Sequence, residues 1–490
     1  MIRQIISLFK SGHQVISLVA CSFLWTGCMS GFEPDNVSED YPPIFPDYTD
    51  VTVPSNTAPL NFMIEGAGNI KAVFTAGDES ITVTGRKGLV DIPFDEWERL
   101  MAFSEGSEVL VEVSACTDEF PSGVSFKPFT FSVSADKINP WIVYRLIEPG
   151  YKGWRQMGIY QRELSSFHEE PVVTNSATSE TCVNCHHVSS YSPAGMMFHA
   201  RGANGGTILY KDGSLSKIKF NEIGPKKNTT YPAWHPEGRF IAFSSNSTAQ
   251  VFFGQGQQPI EVYDNASDIV IYDTVTGEVK TDARFMTEQL LETFPAWSPD
   301  GRWLYFCVSE NCVLPENMKD LRYHIVRVGF DPETGTLEEK TNTLYHAYDR
   351  GGSASWPRIS PDGKYLLYTR TDYGTFPVWH READLHMIDL QTMMDVDVSV
   401  WNDEKEADSY HSWSSDGRWV MFGSRRLDGR YTRIYIAHLD GSGKPGKPYL
   451  LPQEDPRQNE WRLKSFNVPE FLSGRLDLPE DAADLFQPVE

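Results

Sequence analysis

Basic side chains are few in this 490-residue chain compared with acidic ones. Lysine and arginine together number 43, against 67 aspartates and glutamates, and the formal net charge at pH 7 is −24. A surface of this charge repels the phosphates of nucleic acids and the headgroups of anionic lipids. The composition therefore argues against both as binding partners.

Several signatures of catalysis are also missing. The sequence has no Gly-x-Ser-x-Gly nucleophile elbow, no glycine-rich phosphate-binding loop and no His-Glu-x-x-His zinc motif. Beyond the N-terminus, no apolar run reaches transmembrane length. The sequence therefore favours a protein without enzymatic activity, whose folded part lies outside the bilayer.

The N-terminus has the pattern of a lipoprotein signal peptide. Two basic residues precede an uncharged apolar run at residues 15–25, which is too short to span a bilayer, and a small residue then precedes Cys28. We expect residues 1–27 to be removed and Cys28 to be lipidated; Cys21 is the alternative lipid anchor. The pattern predicts an exported protein, anchored to a membrane of the cell envelope and facing the periplasm or the cell exterior.

The mature chain divides into segments of different composition. Residues 28–51 are acidic and rich in proline, which predicts an extended tether. Residues 52–135 alternate short strand patterns with turns around one helix at Phe94–Met101, and resemble a small immunoglobulin- or fibronectin-like β-sandwich. Residues 136–187 form a connecting segment, in which Trp154–Phe167 has the apolar spacing of a helix. The chain therefore holds more than one domain, as its length requires.

The connecting segment ends in the one motif that points to cofactor chemistry. Cys182-x-x-Cys185-His186 has the spacing with which two thiols attach to one c-type haem while the histidine ligates the iron. Two other interpretations stay open: the cysteines form a small disulfide loop, or they are two ligands of a zinc site completed by His186, His187 or a distant side chain. Export favours haem c, because c-type attachment takes place outside the cytoplasm.

A haem on this motif needs a second axial ligand. His187 is a poor candidate, because adjacent residues do not easily occupy opposite faces of one iron. The distal candidates are Met196, Met197, His199 and His168; a methionine would raise the potential of the iron and a histidine would lower it. For the two methionines, core packing in a strand is the competing interpretation.

The strongest architectural signal is an internal repeat. A tryptophan, a turn of the type Pro-Asp-Gly and an apolar strand recur four times, after a degenerate copy at Tyr191–His199. Aligned on the Ser or His before the turn, the copies start at 192, 235, 298, 360 and 414. Proline presets φ in such a turn and glycine takes the positive-φ position. The four clear copies are Tyr231–Phe243, Phe294–Phe306, Ser355–Tyr368 and Tyr410–Phe422.

The Trp-Ser-Pro-Asp-Gly pattern resembles the TolB-like β-propeller repeat of bacterial envelope proteins. The resemblance implies a mainly β protein, in which a small β-sandwich precedes a propeller of five or six blades at residues 188–471, six being preferred. An acidic tail at 472–490 follows, and ring closure is expected from a segment before the haem motif or from Trp461–Phe471. As a whole, the chain resembles envelope lipoproteins that pair such a propeller with an upstream cytochrome-c-type motif.

The remaining cysteines are few. Cys307 and Cys312 flank the end of one predicted strand, and an oxidising compartment predicts a small disulfide between them. Cys116 has no obvious partner and is expected to be a buried, inert thiol.

Two functions are compatible with these features. The first is a lipid-anchored binding or scaffold protein that carries one haem c and whose propeller surface recognises an envelope protein or glycan. The second is an electron-transfer or redox-sensing lipoprotein in which the haem is the main function; a structural zinc or disulfide without a redox role is a further alternative. The fold alone does not choose between them. We favour the binding protein.

Overall fold

The computed structural model describes residues 33–148, 156–178, 181–202, 205–224, 226, 229–254, 258–479, 482 and 485. The predicted signal peptide and both candidate lipid anchors, Cys21 and Cys28, lie outside the described residues. Within the described part of the chain, no helix is long and apolar enough to cross a membrane. From Pro34 onward the described residues belong to one compact unit, which contains an N-terminal β-sandwich and a propeller.

The N-terminal module is a β-sandwich, as the short strand patterns predict. Its elements are β1 (Asn36–Val37), β2 (Ile44–Phe45), β3 (Thr52–Pro54), β4 (Phe62–Ile64), β5 (Ile70–Ala76), β6 (Glu79–Gly85), β7 (Leu89–Val90), α1 (Phe94–Phe103), β8 (Glu108–Ala115), β9 (Val124–Ser125) and β10 (Phe129–Ser134). β2, β4 and β7 form a three-stranded sheet, and the other seven strands form the second sheet. Alternating burial along β5 and β8 places one face of the larger sheet in the core.

The predicted tether at residues 28–51 is folded over much of its length, which corrects the prediction. β1 pairs in parallel with β9, and the side chains of Ile44 and Tyr48 are buried in the sandwich core. Ile44 and Tyr48 point inward, while Val37 and Tyr41 are exposed, and backbone pairing of β1 supplies further contacts. Composition alone does not reveal such a segment, because its charged residues face the solvent.

Helix α1 covers the sandwich core, and its position is the predicted one. Trp97, Leu100 and Met101 are spaced to share one face of the helix, and all three are buried. The Trp97 indole N–H donates to the carbonyl oxygen of Thr57 at 2.9 Å. Its ring packs edge-on against Phe74, with 6.3 Å between the ring centroids.

Six four-stranded sheets follow as the blades of a propeller, which confirms the preferred blade count. Blade one consists of β11 (Trp141–Ile147), β12 (Gly158–Glu163), β13 (Glu169–Thr174) and the last strand of the chain, β34 (Ser465–Leu472). β34 pairs antiparallel with β11, so segments from both candidate regions close the ring.

The other five blades are each continuous in sequence. Blade two is β14 (Val183–Val188), β15 (Gly195–Ala200), β16 (Gly206–Lys211) and β17 (Ser214–Ile218); blade three is β18 (Thr230–Trp234), β19 (Phe240–Phe252), β20 (Ile260–Asp273) and β21 (Val279–Thr281); blade four is β22 (Leu290–Trp297), β23 (Trp303–Glu310), β24 (His324–Asp331) and β25 (Thr336–Tyr345). Blade five is β26 (Ser353–Ile359), β27 (Tyr365–Thr371), β28 (Asp384–Asp389) and β29 (Asp395–Val396); blade six is β30 (Asp408–Trp413), β31 (Trp419–Ser424), β32 (Arg433–His438) and β33 (Tyr449–Leu450).

The connections between strands contain only short helices. The α-helical turns are α2 (Phe220–Ile223), α3 (Ala347–Arg350) and α4 (Gln458–Trp461), and 3-10 turns lie at Asn175–Thr178, Ala283–Phe285, Met318–Asp320, Pro377–Trp379 and Ser399–Trp401.

The propeller begins at Trp141, which corrects the predicted start at residue 188. The predicted connecting segment, 136–187, supplies three strands of blade one and the start of β14. The helix-like spacing of Trp154–Phe167 is misleading, because β12 is buried on both faces and the two-residue alternation of a half-exposed strand is lost. The predicted tail is also partly packed, since Leu476 is buried and its N–H donates to Gln161 Oε1 at 2.7 Å.

The sandwich is fixed to the propeller by a shared core. One hydrophobic cluster runs from Trp97 in the sandwich to Trp419 in blade six and Phe466 in blade one. The Trp419 indole N–H donates to the carbonyl of Asp136 at 3.1 Å, and the Asn61 amide donates to the carbonyl of Glu454 at 2.9 Å. The sandwich therefore supports the ring where its two ends meet.

The six innermost strands share an irregularity that shapes the propeller axis. Each breaks its register with the next strand of its blade, and one non-glycine residue at the break adopts a left-handed backbone conformation. We call these six residues the bulge ring. They are Cys185, Tyr231, Phe294, Trp356, Tyr410 and Val468, with φ of 50°, 46°, 54°, 54°, 49° and 48°.

Candidate functional site

The propeller encloses a cavity of about 430 Å³ against the bulge ring. Its lining residues come from five of the six blades and include the bulge-ring residues Cys185, Tyr231, Trp356, Tyr410 and Val468. We call this space the central cavity. Its volume lies in the range of small-molecule sites, and its walls are strands of the scaffold, so the site is pre-formed.

A second cavity, of about 250 Å³, lies beyond the bulge ring and is lined by all six blades. Three repeat tryptophans, Trp234, Trp297 and Trp413, line it and are themselves buried. The Trp297 indole N–H donates to the carbonyl of Ala233 at 2.9 Å, so it joins blade four to blade three. His187 lines both cavities, and the bulge ring therefore separates them.

The Cys-x-x-Cys-His motif leads into the innermost strand of blade two: Cys182 directly precedes β14, and Cys185 and His186 lie on it. Cys185–Val188 occupies the position that Tyr231–Trp234 occupies in blade three, with the same left-handed residue at its start. Val468–Phe471 is the corresponding piece of blade one. The sequence repeat therefore has six copies of this inner strand, and the haem motif overlaps one of them.

The predicted degenerate copy at Tyr191–His199 is displaced by three residues. In blade four the N–H of Ser298 donates to the carbonyl of Trp303 at 2.9 Å, and in blade two the N–H of Ser189 donates to that of Gly195 at 2.9 Å. Ser189, rather than Ser192, is thus the counterpart of Ser298. The turn after it is one residue longer, which is why an alignment by sequence selects the wrong serine.

Two histidines of the motif meet one carboxyl group at the bulge ring. His186 Nε2 is 3.6 Å from Glu470 Oε2, and His187 Nε2 is 3.6 Å from Glu470 Oε1. His186 Nε2, His187 Nδ1 and Glu470 Oε2 are buried and have no hydrogen-bond partner.

Burial opposes charge on all three of these groups. Burial, reinforced by Arg145, lowers the pKa of His186 to about 3, and burial with Arg358 does the same for His187. Burial raises the pKa of Glu470 to about 8, although Arg358 acts in the opposite direction. At pH 7 the three groups are therefore neutral.

The donor groups of a c-type haem site line the same space. Cys182, Cys185 and His186 all line the central cavity, both cysteines are free thiols, and His186 Nε2 has no hydrogen bond. Burial raises the pKa of the Cys182 thiol, while Arg145 and Arg201 oppose this effect. The residues present therefore fit the group in kind: two thiols for covalent attachment and one unpartnered imidazole nitrogen for the iron. For the zinc alternative, the described residues offer no group of three or more His, Cys, Asp or Glu side chains that is arranged to hold a metal ion.

The structure does not bring the predicted distal ligands to this cavity. Met196 and Met197 are buried on β15 in two different hydrophobic clusters. The Nδ1 of His199 lies 3.0 Å from Thr207 Oγ1, and His168 Nε2 lies 3.4 Å from Glu170 Oε2 near the outer strands of blade one. Strand alternation explains the correction for the methionines, because neighbouring residues point to opposite faces of the blade.

Four arginines line the central cavity, and sequence reasoning missed all of them. Among the described lining residues Glu148 is the one carboxylate. Within the described chain, none of the four arginines forms an ion pair. No local sequence pattern predicts these arginines, because they come from four different blades. They are Arg145, Arg201, Arg358 and Arg430.

Two of these arginines are held in place by neutral partners. Arg145 Nη2 donates to Asn467 Oδ1 at 2.6 Å, while its Nε is buried without a partner. The Arg358 guanidinium lies over the Trp356 ring, 4.1 Å from the centroid. Burial lowers the pKa of Arg358 to about 10, so it is charged at pH 7.

A long hairpin from blade three reaches the mouth of the central cavity. β19 and β20 are 13 and 14 residues long, and Thr248, Gln250 and Val262 on them line the cavity. Glu261 on this hairpin lies 3.3 Å from His380 Nε2, which belongs to blade five. Gln258 also bridges the two, since it accepts a hydrogen bond from the Tyr373 hydroxyl at 3.1 Å.

The predicted disulfide between Cys307 and Cys312 is not formed. Both residues are free thiols. Cys307 is buried on β23 within the core between blades, whereas the Cys312 sulfur lies in a loop, 3.7 Å from the carbonyl oxygen of Asn317. Both side chains contact the same hydrophobic cluster, Cys307 as a buried member and Cys312 from its partly buried edge, but no bond joins the two sulfurs. Cys116, predicted to be buried, is a half-buried free thiol.

No family model matches the chain, and no curated protein matches it in sequence. Solved structures are similar to the chain at low identity. TolB from Acinetobacter baumannii is 12% identical, with a TM-score of 0.44 over 77% of this chain and 85% of that one. The β-propeller domain of the Trilobed protease from Pyrococcus furiosus is 12% identical, with a TM-score of 0.33 over 70% and 82%. The periplasmic gluconolactonase PpgL of Pseudomonas aeruginosa is 14% identical, with a TM-score of 0.34 over 64% and 97%.

Proposed function

We propose that this protein is an exported, lipid-anchored binding protein whose ligand site is the central cavity. The observation that carries the proposal is the bulge ring: each of the six innermost strands has one left-handed residue, and five of these six residues line a single pre-formed space. Left-handed conformations cost non-glycine residues about 1 kcal/mol or more each, and such strain concentrates at functional sites. Left-handed residues repeated around the floor of one cavity favour a specific ligand at that position.

Binding is better supported than catalysis by the burial of the titratable groups. The His186 side chain is 1% exposed and the Glu470 side chain 12%. The pKa of His186, about 3, makes its imidazole a weak proton acceptor at pH 7, and Glu470 is not among the residues that line the central cavity. The exposed residues that line the cavity include Arg201 and Arg430, whose guanidinium groups bind rather than transfer protons.

Native mass spectrometry of the protein purified from its own cell envelope tests this proposal. We expect the wild-type protein to carry a stoichiometric small molecule. The variant Cys185→Trp, which fills the cavity floor, is expected to lose it, whereas Val37→Trp on the exposed edge of the sandwich keeps it. A bound molecule retained by Cys185→Trp, or none in the wild type, contradicts the assignment.

Lipid anchoring is part of the same proposal. Metabolic labelling with a radioactive fatty acid is expected to mark the wild type and the Cys21→Ser variant but not Cys28→Ser. The reverse pattern would move the anchor to Cys21, and a label absent from all three proteins would contradict lipidation.

A covalent haem c is the second candidate function, as an electron carrier or redox sensor. It is favoured by two free thiols and an unpartnered imidazole nitrogen on one cavity wall. Cys182 and Cys185 would hold the macrocycle and His186 the iron, which would supply one-electron chemistry when bound. Expression in a host with c-haem maturation, followed by the pyridine haemochrome assay, is expected to show covalent haem that is lost in Cys182→Ser and kept in Cys116→Ser. Absence of covalent haem in the wild type contradicts this function.

A further inference from the structure

We infer that the ligand of the central cavity carries carboxylate groups on a ring-shaped body. This inference rests on the proposed function and adds the chemical class of the ligand. The groups assigned to its carboxylates are the four cavity arginines: Arg145, Arg201, Arg358 and Arg430.

The sign of the charge in the cavity is opposite to that of the protein. The chain has a formal net charge of −24, yet the described lining residues include four arginines and one carboxylate, that of Glu148. A concentration of one charge in a concave, low-dielectric space attracts ligands of the other charge. The cavity is therefore a cationic region within an acidic protein.

Arginines elsewhere in the molecule have carboxylate partners. Arg239 lies 2.8 Å from Asp273, and Arg462 lies 2.8 Å from Glu169. In the described structure the cavity arginines form no such ion pair, although Arg145 Nε and the Arg358 guanidinium are withdrawn from solvent, and Glu470 acts on Arg358 only from beyond ion-pair distance. Buried positive charge without a counter-charge is costly, and an anionic ligand would remove that cost.

The chemistry of the guanidinium group favours a carboxylate. Its planar fork of N–H donors matches the two oxygens of a carboxylate in a bidentate arrangement. Arg145 is oriented by the amide of Asn467 and Arg358 by the ring of Trp356, so both are positioned before a ligand arrives. Arg201 and Arg430 line the cavity and are exposed to solvent, so a bound ligand can reach both side chains.

The remaining lining points to a body with flat faces and polar edges. Tyr231, Trp356, Trp379 and Tyr410 are aromatic lining residues, and Arg358 and Arg425 lie over the rings of Trp356 and Trp379. Asn184 Oδ1 is buried without a partner, whereas the Asn246 amide already bonds to Thr230, Asp264 and Thr293. Two classes of molecule have these features: saccharides that contain a uronic acid, and porphyrins with propionate side chains.

Isothermal titration calorimetry on the mature full-length protein tests the inference with two matched pairs of probes. The first pair is a disaccharide containing a uronic acid and neutral lactose; the second is protoporphyrin IX and its dimethyl ester, which keeps the ring and removes the charge. We expect one charged probe to bind about tenfold or more tightly than its neutral counterpart, and to weaken as salt is raised. The pair that shows the difference identifies the source of the carboxylate.

Equal affinity within both pairs would overturn the carboxylate assignment and leave the cavity as a ligand site. Absence of binding by all four probes would overturn it as well, while the native mass spectra decide the proposed function independently.

Variants at the exposed arginines provide the second measurement. The double variant Arg201→Gln, Arg430→Gln changes two side chains outside the core and is expected to keep the wild-type melting temperature. We expect it to lose about tenfold in affinity for the charged probe and nothing for the neutral one. The control, Arg86→Gln on the sandwich surface, is expected to bind like the wild type. Unchanged affinity in the double variant would overturn the assignment.

Discussion

His186 Nε2 lies 3.6 Å from Glu470 Oε2, and neither atom has a hydrogen-bond partner. The two residues come from β14 and β34, the innermost strands of blades two and one. Burial lowers the pKa of His186 to about 3 and raises the pKa of Glu470 to about 8, so the contact joins two neutral groups at pH 7. The floor of the central cavity therefore contains polar groups whose desolvation the surrounding blades offset.

The variant Glu470→Gln tests the charge state of this contact. The folded-state pKa of Glu470, about 8, is above the ordinary value of an unfolded chain, so the folded protein loses stability as the pH rises from about 4.5 to 8. Glutamine cannot ionise and removes that loss. Urea denaturation at pH 8 is expected to show the variant more stable than the wild type by on the order of 2 kcal/mol, with a much smaller difference at pH 5.

The titration of His186 and His187 does not affect this comparison of Glu470→Gln with the wild type. His186 and His187 have lowered pKa values, so they withdraw stability as the pH falls from about 6.5 toward 3, and both proteins retain them. If Glu470 were instead ionised and paired with a protonated histidine, the substitution would destabilise the protein at pH 6 to 7.

Gly301 and Gly363 provide a matched pair for testing the repeat turn. Both occupy the Pro-Asp-Gly turn, with φ of 69° and 73°, but a Cβ at Gly301 would meet His235 Nε2 at 2.3 Å, whereas Gly363 has open space. We expect Gly363→Ala to cost about 1 kcal/mol through its backbone conformation, and Gly301→Ala to cost a further 1–2 kcal/mol or so because the imidazole must move. The free energies of unfolding in urea measure both.

The displaced ring would also lose its contact with the Gly301 carbonyl oxygen, at 2.9 Å from His235 Nε2. Equal costs for the two substitutions would show that His235 does not fix this turn.

The turn chemistry made the propeller predictable, and the inner strands show where prediction stops. The glycines of the repeat mark the turns in blades three to six directly. In blade two the Pro-Asp-Gly turn is degenerate, and Cys185 stands where blades three to six have an aromatic residue. In blade one the inner strand Val468–Phe471 is the last strand of the ring, so no hairpin of the repeat follows it. The inner strands of blades one and two have the same left-handed backbone conformation as the others, but they lack the residues by which the repeat is recognised in the sequence.

The candidate site was less predictable than the fold, for a physical reason. The spacing of Cys182, Cys185 and His186 was visible because all three lie within five consecutive residues. Arg145, Arg358 and Glu470 are far apart in sequence and meet only because the ring closes. The periodicity of apolar residues in the sequence predicts which side chains share a face of one strand. It does not predict which residues of another blade lie across the propeller axis from them.

The long hairpin of blade three is expected to depend on His380. Burial lowers the pKa of this imidazole, but hydrogen bonds to Glu261 and Glu382 outweigh it and raise the pKa to about 9. The protonated ring therefore contributes stability that is present below about pH 6.5 and is lost as the pH rises through about 9. In His380→Gln we expect amide hydrogen exchange to quicken about tenfold in the described outer parts of β19 and β20, at pH 7.

The matched control is His346→Gln. His346 also contacts a carboxylate, Asp349, at 3.0 Å, but this pair is exposed. Exposed pairs contribute little, so exchange in the hairpin is expected to stay at the wild-type rate. Equal effects from both variants would remove His380 as the anchor.

Thiol labelling distinguishes the free cysteines from the disulfide predicted for them. Cys312 is half-buried and Cys307 is buried, and burial raises the pKa of both thiols. Iodoacetamide should therefore modify Cys312 slowly in the native protein and Cys307 only after unfolding in urea, as peptide mass spectrometry would show. In Cys312→Ser, labelling of Cys307 should stay restricted to the unfolded protein, because core packing rather than a bond protects it. If both cysteines resist the reagent in urea until a reductant is added, the disulfide exists and the loop carrying Cys312 has to move toward β23 to form it.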